Sequence, residues 1–216
     1  MKVKKVLSDI SDKIDSEIAW RKKELVNIKN LITEEEKEEA RFFRRSAIAL
    51  SYAHLEGGTK NIFLLYIKFL NNLLKEKMIA LEDNEIIQDL IFYDKRTILT
   101  QNTREKRLKF FKSCIEILLN GEIEKLKIDK SIVNTKSNLS YKVLEDIYEL
   151  FDISMNREIE IEAKFIDELV DRRNHVAHGE KKDYAKDIVI ESIEKVIKLL
   201  ELIKEDILSK MGEFDR

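Results

Sequence analysis

The chain reads as an all-α protein, an antiparallel helical bundle, on three observations. It has no proline and five glycines in 216 residues. Little therefore interrupts a helix, since proline removes a backbone donor and glycine pays the largest entropic cost of ordering. Charged residues make up 38% and hydrophobic residues 44%, the balance expected of helices with a buried stripe and a solvated face. The apolar positions recur at helical rather than alternating spacing through most of the length. A chain of this size builds one substantial core, and no linker, repeat or low-complexity tract divides it, so one domain over 1–216 is expected.

The elements follow in order. Residues 3–31 set Val6, Ile10, Ile14, Ile18, Leu25 and Ile28 at helical spacing, an N-terminal amphipathic helix within 1–31. Thr33 followed by Glu36 has the form of a capping box opening a second helix that runs to about Glu56. There Phe42, Phe43, Ile48, Leu50, Tyr52 and Leu55 point nearly all round the axis, the mark of a central helix. "EGG", Glu56 to Gly58, is expected to stop it, with a third helix from about Thr59 to Met78. "NEIIQDLIFYD" fits a short helix or an extended segment. A helix over Thr103–Leu119 ends at "NG", and "EKLKIDKSIVNTKSNLS" carries no helical stripe, so an irregular or partly extended excursion is expected near 121–138. Helices are expected again over 140–151, 157–177 and 183–210, the last two forming a C-terminal pair within 157–210.

Charge and cysteine narrow the function classes. Forty basic against forty-two acidic residues leave a formal net charge of -2, which argues against a protein that coats nucleic acid nonspecifically. It leaves room for a local phosphate site. The single cysteine, Cys114 in "FFKSCIEILL", can form neither an internal disulfide nor a cysteine zinc site, and it reads as a buried structural thiol. The basic N-terminus lacks a signal peptide's apolar core, and no apolar run approaches the ~20 residues of a membrane span. A reducing cytoplasm, with no membrane partner, fits.

Chemistry concentrates in "DELVDRRNHVAHGE", Asp167 to Glu180, which holds two of the chain's three histidines beside paired arginines. Phe165, Ile166, Leu169, Val170, Val176 and Ala177 form one apolar stripe on this helix, at ~100° per residue. Arg173 falls near the middle of that stripe and Arg172 at its edge. A guanidinium there needs an acidic side chain, an anion or a cleft, because burying an unpaired charge is costly. On a continued helix His178 sits ~140° round from Arg173 and ~7.5 Å along the axis. Gly179 suggests a helix end that lets His178 swing back toward Arg173; alternatively, two copies meet across a twofold axis and each supplies part of the site. Either arrangement places a proton-exchanging imidazole beside a permanently charged fork that suits phosphate. RNA cleavage at the 2′-hydroxyl needs a base, an acid and positive charge for the phosphorane, and no metal. His175 and His178 come with no HExxH or cysteine spacing, so no metal ligand and no cofactor is assigned.

"RRNHVAHGE" resembles the R-x4-6-H signature of the HEPN superfamily, all-α proteins that include many metal-independent endoribonucleases. Arg173, four residues and His178 match it, with Asn174 following the arginine. "RRSAIALSYAHLEGGTKN" (Arg44–Asn61) and "SNLSYKVLEDIYELFDI" (Ser137–Ile153) are similar to a bacterial HEPN branch found in defence and genome-conflict loci. The three stretches keep the family's order. The resemblance implies a dimerising bundle in which Arg173 stabilises the scissile phosphate, His178 transfers protons and Asn174 orients the site or contacts RNA. His175 has no fixed family role and reads as solvent-facing, with assistance to the site as its functional alternative. Arg172 is a supporting candidate. His54 and Glu56 read as a core histidine and a helix-end carboxylate, or functionally as support, with Glu56 pairing Arg173 or its neighbour. The tyrosine that some HEPN toxins carry two residues after the histidine is Glu180 here, and Tyr184 lies too far along.

"DKRTILTQNTREKRLKFFK", Asp94 to Lys112, is locally basic. Arg104, Lys106, Arg107 and Lys109, interleaved with Phe110 and Phe111, are candidate RNA contacts; the simpler reading is a solvated helix face with the aromatics in the core. The leading expectation is a homodimeric HEPN endoribonuclease acting as a toxin or antiphage effector on cellular RNA, tRNA among the candidates, with an antitoxin or defence-complex protein as a further partner. The competing expectation is a catalytically idle HEPN module that binds protein or nucleotide within a larger complex.

Overall fold

The structure, a computed structural model, describes residues 2–79, 84–91, 93, 103–105, 108, 111, 112, 115, 119, 120, 127–136 and 138–215. Helix α1 spans Lys2–Asn30 and buries Ile10, Ile14, Ile18, Leu25 and Ile28, the stripe its spacing predicts, with Arg21 in the same line. Helix α2 spans Glu38–Lys75, α3 Tyr141–Leu150, α4 Arg157–Ile161, α5 Ala163–Ala177 and α6 Lys186–Gly212. Among the described residues there is no strand, and no helix is long and apolar enough to cross a membrane. The protein is an all-α bundle.

Cross-helix pairs give the directions. Lys29 reaches Glu194 at 2.5 Å, Lys22 reaches Glu201 at 3.2 Å and Lys4 reaches Asp215 at 3.6 Å, so α1 runs antiparallel to the C-terminal helix. Glu17 accepts from Asn61 while Arg21 and Glu24 reach His54, so α1 is antiparallel to α2 as well. It follows that α2 and α6 are parallel. The lysine pairs between α1 and the C-terminal helix report register more than they supply stability. The energy lies in α2, which packs against α1, α5 and α6 at once and buries Ile62, Phe63, Tyr66, Ile67, Phe69 and Leu70 completely or nearly so.

Three boundaries differ from the sequence reading. The expected break at "EGG" is absent: α2 continues through Gly57 and Gly58 as one helix. A Cβ on Gly58 would lie 2.5 Å from Leu200 Cδ2 and 3.2 Å from Arg21 Cδ, and one on Gly57 would lie 3.1 Å from Arg21 Nη1. These glycines therefore admit α1 and α6 close to the backbone and are not a stop. The capping box at Thr33 and Glu36 does not open α2 either. Its N-cap is Lys37, with no side-chain cap, and the 33–35 carbonyls serve buried Arg44 instead, at 3.0 Å from Thr33 O and 3.1 Å from Glu35 O. The expected helix over 157–177 breaks at Glu162, whose N–H bonds Ile159 O three residues back, tightening the turn between α4 and α5. The central helix is also less apolar all round than expected, since Phe42 is 63% and Leu50 42% exposed.

Between α2 and α3 the chain is helical over 85–91, as are the described positions of 104–119. Cys114 lies outside the described residues, as do Lys106, Arg107, Lys109 and Phe110. Arg104 is exposed, and Phe111, expected in the core, is 48% exposed. The excursion over 127–136 is irregular apart from a 3-10 turn at Lys130–Ile132. It is tied to α2 by Asn71, whose side chain donates to Ile128 O at 3.0 Å and accepts from Ile128 N at 2.8 Å.

Candidate functional site

The site begins with α5. Phe165, Ile166, Leu169 and Val170 are buried, and Arg173 continues their line one turn on, half-buried. That placement points its guanidinium at α2. Arg173 Cζ lies 4.3 Å from the centroid of the Tyr52 ring, within range for a cation–π contact. Its Nη2 donates to the side-chain oxygen of Asn138.

Both holders are themselves held. Tyr52 is 2% exposed, and its hydroxyl accepts from Leu139 N at 2.7 Å. Burial raises the Tyr52 pKa, against the opposing pull of the Leu139 N–H and the Arg173 guanidinium, so the phenol stays protonated at neutral pH. One turn further along α2, Glu56 accepts from Thr135 Oγ1 at 2.7 Å. Thr135 and Leu139 are thus pinned to α2 at Glu56 and Tyr52, and Asn138 beside Leu139 meets Arg173 of α5. Ser140 caps α3 through Val143 N, and Tyr141 N donates to Asp167 of α5 at 2.8 Å, closing the junction.

The end of α5 is set by backbone geometry. Glu180 N donates to His175 O at 3.0 Å and Gly179 N to Val176 O at 3.1 Å, the two bonds of a Schellman motif, with Gly179 at φ 73°. An L side chain is strained at that φ, so the glycine in "HGE" is a requirement of the cap. His178 N still bonds Asn174 O at 2.9 Å, so His178 stays on the helical path, exposed, and the chain turns only after it. Within one chain it is not swung back toward Arg173; it remains ~140° round the axis from it. Beside it, Arg41, Phe42 and Arg45 of α2 and Val176, Gly179 and Glu180 at the motif's end line an open groove. Asp183 pairs with Arg41 at 3.6 Å and Arg45 at 3.4 Å there, leaving the groove mixed in charge.

The RiboL-PSP-HEPN family model matches residues 16–209, a span that includes all of these residues. The chain belongs to the RiboL-PSP-HEPN family. No curated protein and no solved structure matches it. HEPN membership carries an RNA-related or nucleotide-binding role, and the all-α fold agrees with it.

In this HEPN chain the other sequence candidates separate. Arg172 does not enter the Arg173 cradle: it pairs with Glu168 at 2.9 Å and donates to Ser192 at 3.1 Å. Its carbonyl accepts from the hydroxyl of buried Tyr184 at 3.1 Å, and Tyr184 O accepts from Arg44 at 2.8 Å. That relay anchors the motif's last turn to α2. His175 Nδ1 lies 2.5 Å from Glu180 Oε2 across the cap. Asn174 is half-buried. Glu56 reaches the site through Thr135. His54 does not: two residues from Tyr52, it faces α1, buried among Arg21, Glu24 and Trp20. Among the described residues no group of three or more His, Cys, Asp or Glu could hold a metal ion.

The sequence reading missed Tyr52 and Asn138 as partners of Arg173. Tyr52 counted only as an apolar residue of a central helix, and Asn138 lies 35 residues from Arg173. The sole signal was that both fall within the stretches that resemble HEPN relatives.

Proposed function

We propose that this protein is a metal-independent endoribonuclease that cleaves cellular RNA by attack of a 2′-hydroxyl on the adjacent phosphorus. The observation that carries the reading is the Arg173 cradle: a half-buried guanidinium that continues a buried stripe and lies against the Tyr52 ring and the Asn138 amide oxygen. A group so held suits a phosphate whose charge grows in the transition state. His178, exposed at the cap of the same helix, is the proton-transfer group. An imidazole takes the 2′-hydroxyl proton, the 2′-oxygen bonds to phosphorus, and the bond to the 5′-oxygen breaks as a protonated imidazole supplies that oxygen's proton. The products are a 2′,3′-cyclic phosphate and a 5′-hydroxyl.

Because His178 lies off the face that carries Arg173, the working site is a cleft shared by two copies, with base and acid drawn from the two motif ends. Asn174, half-buried between them in sequence, orients the strand.

The test incubates total RNA with the protein in excess EDTA and analyses the ends, alongside sedimentation. Cyclic phosphate and 5′-hydroxyl ends from a dimer support the reading. Loss of cleavage on chelation, or 5′-phosphate ends, overturns it in favour of a metal nuclease. No cleavage by folded protein leaves a binding module of a larger complex.

A further inference from the structure

The cap that ends α5 also brings a carboxylate onto an imidazole. Gly179, at φ 73°, turns the chain back so that Glu180 meets His175 twice. The Glu180 N–H donates to His175 O at 3.0 Å, and Glu180 Oε2 lies 2.5 Å from His175 Nδ1. An ionised carboxylate only accepts, so Nδ1 carries the hydrogen of that bond and Nε2 is the basic nitrogen. The His175 side chain is 34% exposed, and among the described residues no other group bonds its ring. His178 follows three residues on, still on the helical path. The two side chains are therefore neighbours on one face, with Cβ atoms ~5–6 Å apart. His178 is exposed, and among the described residues its ring has no hydrogen bond or ion pair.

The two imidazoles are thus unlike, and attack by a 2′-hydroxyl asks for two unlike groups. A base starts neutral and gains a proton. A carboxylate on its far nitrogen fixes the tautomer and stabilises the cation that forms. An acid starts protonated and must release its proton, which such a carboxylate would oppose. We propose that His175, oriented by Glu180, is the general base of the reaction and His178 its general acid. This rests on the endoribonuclease reading. His175 Nε2 takes the 2′-hydroxyl proton as the 2′-oxygen bonds to phosphorus. The bond to the 5′-oxygen breaks, its electron pair stays on that oxygen, and His178 supplies the proton. Glu180 is a positioning residue, and in a cleft shared by two copies each motif end offers one base and one acid.

The experiment measures single-turnover cleavage of a defined RNA and of the same RNA with sulfur replacing the bridging 5′-oxygen at the cleaved linkage. A thiolate leaves without a proton, so the second substrate needs a base but no acid. Wild type, His175→Ala, Glu180→Gln and His178→Ala are compared, with helicity, melting and sedimentation for each. On ordinary RNA His175→Ala should lose on the order of 10²- to 10³-fold. Glu180→Gln keeps the backbone bonds of the cap and should lose on the order of 10- to 100-fold, in the chemical step and not in RNA affinity. On the sulfur substrate His178→Ala should recover most of its loss, while His175→Ala and Glu180→Gln keep theirs. Added imidazole should restore part of the His175→Ala rate. The double variant His175→Ala/Glu180→Gln should cleave no more slowly than His175→Ala, since the carboxylate has nothing left to orient. Folded His175→Ala with wild-type rates, or sulfur rescue of His175→Ala in place of His178→Ala, overturns the proposal and leaves the nuclease reading intact. No cleavage by folded wild type overturns both.

Discussion

Two arginines flank α2 on opposite sides, and their surroundings differ in the group that joins an aromatic ring beside each. Arg21 is 7% exposed. It bonds Glu17 at 2.7 and 2.8 Å, lies 4.5 Å over the Trp20 ring and reaches the His54 carbonyl. Burial pushes the Glu17 carboxyl up, but hydrogen bonds from Asn61, Trp20 and Arg21 outweigh it and hold the pKa low, so the pair stays ionised. Arg173, on the other side, also lies over a ring, but its amide partner is neutral. The same cation–aromatic packing therefore serves two ends. At Arg21 a carboxylate joins the ring and the arginine bolts α1 to α2; at Arg173 an amide oxygen joins the ring.

The largest effects should come from the Arg173 side. Arg173→Ala and His178→Ala are each expected to lower cleavage on the order of 10²- to 10³-fold, because one removes phosphorane charge stabilisation and the other proton transfer. Together they should lose far less than the product of the single losses, since both serve one transition state. Rate measurements on dimeric, fully helical protein check this. A folded His178→Ala that cleaves and arrests growth as wild type does would remove the contrast altogether.

The bolted side should show the reverse signature. Arg21→Ala breaks a buried pair and is expected to destabilise the fold by about 3 kcal/mol, with the cleavage rate per folded molecule unchanged. Gly58→Leu forces a side chain into the space held by Leu200 and Arg21 and should cost about 2–3 kcal/mol. Chemical denaturation measures both. An Arg21→Ala variant that kept its stability but lost cleavage would invert the comparison.

The smallest effect is a pH dependence. Burial lowers the His54 pKa below the usual 6.5, helped by Arg21 and opposed by Glu24. Folding therefore favours neutral His54. Its contribution is fully present above about pH 6.5 and is lost as pH falls through the lower folded value. His54→Gln should flatten that acid-side slope in denaturation curves taken between pH 7 and pH 5 without altering the alkaline side. An unchanged slope would mean that His54 is not the titrating group.

The long helices and the stripe under Arg173 were legible in sequence, because helical periodicity at Ile10, Ile14 and Ile18 or at Ile166, Leu169 and Val170 is a local property of the chain. The motif's cap was legible too, since "HGE" places glycine where a positive φ is needed. Gly57 and Gly58 misled for the complementary reason. A glycine that ends a helix and a glycine that lets two other helices approach look identical until α1 and α6 are in place. Glu162 belongs with them: nothing in "REIEIEAKF" marks a tightened turn.

By itself, then, the sequence determined an all-α fold, a phosphate-suited arginine set on an apolar stripe and a histidine at that helix's end, each a consequence of residue type and spacing along one segment. Tertiary structure alone decided what each arginine faces. Tyr52 and Asn138 meet Arg173 from segments remote in the chain, and Glu17 neutralises Arg21 one turn away while His54 closes over it from α2. Periodicity can say that a charge sits among apolar neighbours. Whether its partner carries an opposite charge depends on which distant segments pack against it, and the energy of a half-buried ion turns on that partner.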